Sequence, residues 1–122
     1  MKKRIVIVDD FVNTRWITGF TLKSLDHELI SVENGNEALR LFDGRQVDLL
    51  ITDFNMPEMN GGELVRRVRK NPVYSNLPVL VLSTEKNKDI INSVEALNIK
   101  GWVQKPFKRD EFVNLVKECL NV

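Results

Sequence analysis

Val47-Asp48-Leu49-Leu50-Ile51-Thr52-Asp53 carries three large aliphatics in succession, then ends abruptly in a carboxylate ahead of a loop closed by Pro57. A strand with one wet face alternates apolar and polar residues. A continuous apolar run instead suits a strand buried on both faces, as in a parallel sheet covered by helices. Asp53 then falls at the carboxyl end of that strand, where open α/β sheets place their chemistry.

The same signature recurs along the chain. Ile5-Val6-Ile7-Val8 is a second apolar run, ending in Asp9 and Asp10, and Leu29-Ile30-Ser31-Val32 reads as a short strand. Pro78-Val79-Leu80-Val81-Leu82 ends at Ser83-Thr84, and the brief Gly101-Trp102-Val103-Gln104 ends at Lys105-Pro106. Helical spacing fills the intervals. Trp16, Ile17, Phe20 and Leu25 mark a helix over Asn13 to Leu25, a weak one given Gly19 and its threonines. Asn34, with Glu37 three residues later, starts the next helix; Ala38, Leu39 and Phe42 give its buried face, and Asp43-Gly44 stops it. Gly61-Gly62 precede a helix with Leu64, Val65 and Val68 on one face and Arg66, Arg67, Arg69 and Lys70 on the other, ended by Asn71-Pro72. Ile90, Val94 and Leu97 mark a fourth helix, broken near Asn98. Phe112, Leu115, Val116, Cys119 and Leu120 mark a closing amphipathic helix, with Asp110 and Glu111 favourably placed in its first turn.

Five βα units without a linker or repeat predict an α/β fold: a single five-stranded parallel sheet, helices on both faces, right-handed crossovers. Of the common doubly wound orders, five strands suit 2-1-3-4-5, whose switch point lies between strands 1 and 3. That order brings Asp9, Asp10 and Asp53 together at one edge, with Ser83 and Lys105 on the strands beside them.

Composition narrows the function classes. A chain of 122 residues fits one domain, and 43% hydrophobic with 29% charged residues is ordinary for a soluble globular protein. A formal charge of +1 gives no general reason to expect nucleic acid or an anionic membrane as partner. Cys119 stands alone, which rules out an internal disulfide and fits a reducing cytoplasm. The basic start Met1-Lys2-Lys3-Arg4 is followed by only four apolar residues, too few for a signal sequence or membrane span. A soluble, cytoplasmic protein is expected, and Leu120-Asn121-Val122, ending at the last helix, favours a natural terminus.

Three carboxylates close together repel, so one or more binds a proton unless a cation is present. With no cysteine or paired histidine nearby, a soft metal is disfavoured; a few hard oxygen ligands suit Mg²⁺, completed by water and a phosphate oxygen. Aspartate can act as a nucleophile and form an aspartyl phosphate, a lysine supplies a point charge for phosphoryl oxygens, and a serine hydroxyl can donate another hydrogen bond. Each residue also has a plainer reading. Asp53 alone suits a turn, Asp9-Asp10 a cap on the first helix, Ser83 a cap on the fourth, and Lys105 a solvated charge. Five polar groups, each at the end of strand 1, 3, 4 or 5, favour Mg²⁺-dependent phosphoryl transfer onto Asp53. His27 reads as a surface loop residue, the Arg66 to Lys70 run as a solvated helix face, and Cys119 as inert core.

Val8-Asp9-Asp10-Phe11, Asp53-Phe54-Asn55-Met56-Pro57-Glu58-Met59-Asn60-Gly61, Leu82-Ser83 and Lys105-Pro106-Phe107 together resemble the receiver domain of two-component response regulators. The match runs over residues 1–122 in order and spacing; the Asp-Asp-Phe start, Arg15 and Asn55-Met56-Pro57 make it similar to the stand-alone chemotaxis regulators in particular. The resemblance implies a flavodoxin-like fold and phosphoryl transfer from a sensor histidine kinase to Asp53. It implies that Asp10, Asp53 and the backbone carbonyl of Asn55 ligate Mg²⁺, with Asp9 helping through water, and that Lys105 holds the phosphoryl group beside a cis bond to Pro106. Ser83 would move toward the phosphoryl oxygens and Trp102 reorient with it. Those shifts would remodel the face of helix 4, strand 5 and helix 5, including Ile91, Trp102 and Gln104, where an output protein binds. The family makes the chain a phosphoacceptor regulator rather than an enzyme on other substrates, as a monomer or a phosphorylation-dependent dimer, with a phosphatase as a further partner.

Four departures from the family pattern bear on those expectations. Trp102 stands where Tyr or Phe is usual, which puts inward burial of the switch aromatic in question. Thr84 replaces Ala or Gly and narrows access for water or a phosphatase, while Asn55 and Glu85, which tune phosphoryl lifetime, match the chemotaxis type. Asn60 replaces a common Asp, with little consequence expected in a turn. Gln104 is polar where the chemotaxis regulators are apolar, so a flagellar-motor partner does not follow. Other readings are a receiver cut from a larger regulator or hybrid kinase, a degenerate receiver, and a haloacid-dehalogenase-type phosphohydrolase. The last needs an Asp-x-Asp pattern after the first strand, and Val12 occupies the second aspartate's place.

Overall fold

The computed structural model describes residues 2–122; Met1, the first residue of the basic start, lies outside them. Five strands, β1 (Arg4–Val8), β2 (Glu28–Val32), β3 (Leu49–Asp53), β4 (Val79–Ser83) and β5 (Gly101–Gln104), form one parallel sheet in the order β2-β1-β3-β4-β5. The predicted order is the observed one. β1, β3 and β4 are buried over nearly their whole length, which is why they carry consecutive aliphatics. In register, Val8 faces Thr52, Asp53 faces Leu82 and Ser83 faces Gln104. The carboxyl ends of four strands therefore finish within a residue or two of one level.

Helices α1 (Val12–Leu22), α2 (Gly35–Leu39), α3 (Gly61–Arg69), α4 (Lys88–Glu95) and α5 (Arg109–Leu120) alternate with the strands. One face of the sheet packs Val6, Val8, Leu50, Val79 and Val81 against Ala38 of α2, Leu64, Val65 and Val68 of α3, and Val94 of α4. The other packs Ile5, Ile7, Leu49, Ile51, Leu80 and Leu82 against Leu22 of α1 and Phe112, Val116, Cys119 and Leu120 of α5. Burial also pushes the Cys119 thiol up from its ordinary range.

Side-chain caps fix most helix starts. Asn34, Asn60 and Asn87 accept from the backbone N–H groups of Glu37, Glu63 and both Asp89 and Ile90, each cap being worth about 1 kcal/mol. Asn60 caps α3, a place that Asn and Asp fill about equally well. Gly61 and Gly62, expected ahead of the third helix, form its first turn.

Two expectations need correction. The helix over Asn13 to Leu25 forms as α1 followed by a 3-10 turn at Lys23–Leu25, but Trp16, Ile17 and Phe20 face solvent and the buried positions are Thr18, Thr21 and Leu22. The threonine hydroxyls are satisfied by donating to the carbonyls of Thr14 and Ile17, four residues back, so they bury without an unpaired group. Arg69 is not part of a solvated face: it donates to the carbonyls of Tyr74, Leu77 and Asn98. His27 Nδ1 accepts from the Lys3 N–H at 3.0 Å, tying the loop before β2 to the start of β1.

Candidate functional site

β1 ends by handing Asp9 into a tight turn. The Asp9 N–H donates to the Val32 carbonyl, extending the ladder one residue, and its Oδ1 accepts from the Phe11 N–H at 3.0 Å. This side-chain turn fixes the Asp9 carboxylate, leaving Oδ2 to accept from Lys105 Nζ at 3.0 Å. Arg15 Nη1 donates to the Asp9 carbonyl at 2.7 Å and braces the turn from α1. The helix N-cap position belongs to Phe11, which makes no side-chain cap, so neither Asp9 nor Asp10 caps α1.

Asp53, the last residue of β3, is buried, and its Oδ2 lies 3.3 Å from the same Lys105 Nζ. Lys105 follows β5, and its bond to Pro106 is cis. One ammonium thus bridges two carboxylates from strands 1 and 3, and it is itself largely shielded. Burial holds the Asp53 carboxyl above its ordinary range, against the pull of Lys105, with repulsion from Asp9 adding to the rise.

Asp9, Asp10 and Asp53 each bring one carboxylate oxygen to within 4.8 Å of the others. Oδ1 of Asp10 is buried with no hydrogen-bond partner. A buried acceptor left unpaired costs about 1–3 kcal/mol, more when charged, so this oxygen is suited to a ligand. An all-carboxylate donor set with one orphaned oxygen fits a hard divalent cation such as Mg²⁺, and Asp9, Asp10 and Asp53 are the residues able to hold it.

The loop after β3 is pressed against the site. A Cβ added at Gly61 would lie 2.5 Å from the Asp53 carbonyl oxygen, so only glycine allows this approach. Met56 and Met59 anchor the loop in the core while Asn55 stays exposed. Ser83 is wholly buried, but its Oγ accepts from the Glu85 N–H at 3.0 Å and makes no hydrogen bond to the Asp–Lys cluster. It therefore serves its own turn, and Asn87, four residues on, caps α4. Thr84 is exposed and lines a cleft of about 290 Å³ with Ile17, Thr18, Lys105 and Phe107. Glu85 Oε2 accepts from the N–H groups of Lys86 and Asn87.

Trp102 is half-buried against the core of the α2–α3–α4 face, its ring centroid 5.6 Å from that of Phe54. The indole thus sits partly inward, with its buried Nε1 lacking a partner. Gln104 is exposed and Ile91 half-buried. Sequence reasoning missed Phe54, whose position directly after Asp53 was the available signal, and treated Arg15 as a family marker rather than a brace. Among the described residues, no helix is long and apolar enough to cross a membrane.

A family model, the response regulator receiver domain, matches residues 5–117. A chemotaxis protein CheY homolog of Campylobacter jejuni is 38% identical over 107 residues, covering 85% of this chain and 82% of the relative. The structure of Vibrio cholerae chemotaxis protein CheY4 superposes with a TM-score of 0.90 at 30% identity, covering 98% of this chain and 100% of the other. The receiver domain of a sensor histidine kinase from Pseudomonas aeruginosa, with a magnesium ion coordinated in its active site cleft, gives a TM-score of 0.89 at 20% identity, with both chains covered in full.

Proposed function

The chain belongs to the response regulator receiver family, and on that premise we propose that it is a phosphoacceptor switch that takes a phosphoryl group from a sensor histidine kinase onto Asp53. The observation that carries this reading is the Lys105 ammonium held between Asp9 and Asp53 beside the orphaned Asp10 oxygen. In the transfer, an Asp53 carboxylate oxygen forms a bond to phosphorus as the bond from phosphorus to the kinase imidazole nitrogen breaks. Lys105, already 3.3 Å from Asp53 Oδ2, follows the arriving phosphoryl oxygens as a point charge. Asp10, Asp53 and the backbone carbonyl of Asn55 hold Mg²⁺, with Asp9 acting through water; the magnesium-bearing Pseudomonas neighbour supports that choice of ion. When bound, the ion offsets the repulsion among three carboxylates and the incoming phosphoryl charge.

Ser83 gives the site its response. Its hydroxyl leaves the turn to Glu85 and donates to a phosphoryl oxygen, and the half-buried Trp102, on the same face of the sheet as Val81 and Ser83, repacks with it. The outcome is a shift between two populations, as large as the phosphoryl group's different interaction with each. It is read out on α4, β5 and α5, through Ile91, Trp102 and Gln104, by an output protein. Thr84, Asn55 and Glu85 set the phosphoryl lifetime, including access for a phosphatase. The names of the relatives point to chemotaxis as the pathway.

Intact mass after incubation with a small phosphodonor and Mg²⁺ tests this directly. One phosphoryl adduct is expected, absent in Asp53→Asn and absent without the metal. An unmodified wild-type chain, or an adduct that survives in Asp53→Asn, overturns the assignment.

A further inference from the structure

The two peptide planes that flank Asp10 are each held by one side chain. The plane joining Asp9 to Asp10 carries the Asp9 carbonyl, which accepts from Arg15 Nη1 at 2.7 Å. The plane joining Asp10 to Phe11 carries the Phe11 N–H, which donates to Asp9 Oδ1 at 3.0 Å. Each peptide unit is rigid, so fixing both planes fixes the backbone angles of Asp10 and with them the direction of its Cβ. Asp10 does not aim itself, because its carboxylate Oδ1 is buried without a hydrogen-bond partner.

Of the two holds, one comes from Asp9, whose other oxygen is already bound to Lys105, and the other from Arg15. Arg15 is half-buried near the start of α1, a helix that begins with no side-chain cap at Phe11. Its main-chain N–H donates to the Phe11 carbonyl at 2.9 Å while its guanidinium takes the Asp9 carbonyl. One residue therefore clasps both ends of the Asp9–Phe11 turn. The charge stands beside the acids without being spent on them: among the described residues Arg15 forms no ion pair. A guanidinium bound to Asp10 Oδ1 would compete with a metal ion, whereas one bound to the carbonyl behind it leaves that oxygen free. The two cations of the site thus divide the work, Lys105 binding carboxylates and Arg15 binding main chain.

Resting on the reading of Asp9, Asp10 and Asp53 as a Mg²⁺ site, we propose that Arg15 is a positioning residue for that ion. By gripping the Asp9 carbonyl it aims the Asp10 carboxylate, and so sets the affinity for a metal that, as a cation, it cannot itself ligate. The sign of the effect separates this role from plain electrostatics. Removing a positive charge near a cation site strengthens cation binding, whereas losing a group that orients a ligand weakens it, by about tenfold or more.

The test titrates the full chain with MgCl₂ at constant ionic strength, followed by amide NMR shifts, and measures amide hydrogen exchange on the metal-free chains. Arg15→Met, similar in length but without a donor, is expected to weaken Mg²⁺ binding about tenfold. Arg15→Lys, which keeps the charge and a donor, should recover most of that loss. In metal-free Arg15→Met the Phe11 amide should exchange faster while the amide of Ile51, buried in β3, keeps its parent rate. A merely structural role would speed both. Equal or tighter Mg²⁺ binding by Arg15→Met, no recovery in Arg15→Lys, or Phe11 and Ile51 exchange that change together overturns the proposal and leaves the Mg²⁺ site standing. A parent chain that shows no Mg²⁺-dependent shifts overturns the reading of the site, and the proposal with it.

Discussion

Helices α1 and α5 cover the same face of the sheet, yet they use their apolar residues in opposite ways. α5 turns Phe112, Val116, Cys119 and Leu120 inward, whereas α1 buries only Leu22 and two threonines and leaves its aromatics in solvent. Their apolar content differs far less than their burial. Helical spacing tells which residues share a face, and only the position of the sheet tells which face is inside.

The contrast makes quantitative demands. Phe112→Ala should cost about 3–5 kcal/mol in urea unfolding, because it empties a filled site beneath α5. A cost under about 1 kcal/mol, the range typical of an exposed position, would show that α5 is no better anchored than α1.

Smaller is the effect at the acidic pocket between the starts of the two helices. The folded-state pKa of Asp53 is raised, so the neutral carboxyl favours the fold. That contribution is complete below the unfolded pKa of about 3.9 and is lost as pH rises through the folded value. Without Mg²⁺, Asp53→Asn should melt above wild type at pH 7, and the gap should close on acidification to below pH ~4. A variant that melts lower at pH 7 contradicts the raised value.

Replacing both buried hydroxyls of α1, in the double variant Thr18→Val and Thr21→Val, should change stability by less than about 1 kcal/mol, stabilising in sign. The hydroxyls only share carbonyls already used by the helix, so a large loss would mean they do more than fill space. Smallest of all, Trp16→Ala should leave the melting curve within about 0.5 kcal/mol of wild type, as befits a side chain kept for something other than the fold.

The sheet was legible because both-face burial writes itself as unbroken aliphatic runs, and β1, β3 and β4 were readable from that alone. The clustering of Asp9, Asp10, Asp53 and Lys105 followed from strand order, which places strand ends together whatever the side chains do. Features set by side-chain direction were less legible. Ser83 was placed at the right strand end, but its bond to the Glu85 N–H depends on a rotamer the sequence does not record. The outward turn of Trp16 and Phe20 depends on which arc of α1 meets the sheet. Arg69 looked like one more cation in a run of four, since its three carbonyl partners come from segments five to twenty-nine residues away.

That arginine has a mechanical consequence. By gripping the Asn98 carbonyl, it pins the chain just beyond the C-terminal end of α4 to α3, while the N-terminal end of α4 hangs from the Ser83–Asn87 turn. A rod fixed at one end and tugged at the other pivots rather than slides. Asn98 would then be the fulcrum of α4, and any pull at Ser83 would be felt as an angular sweep along the length of the helix.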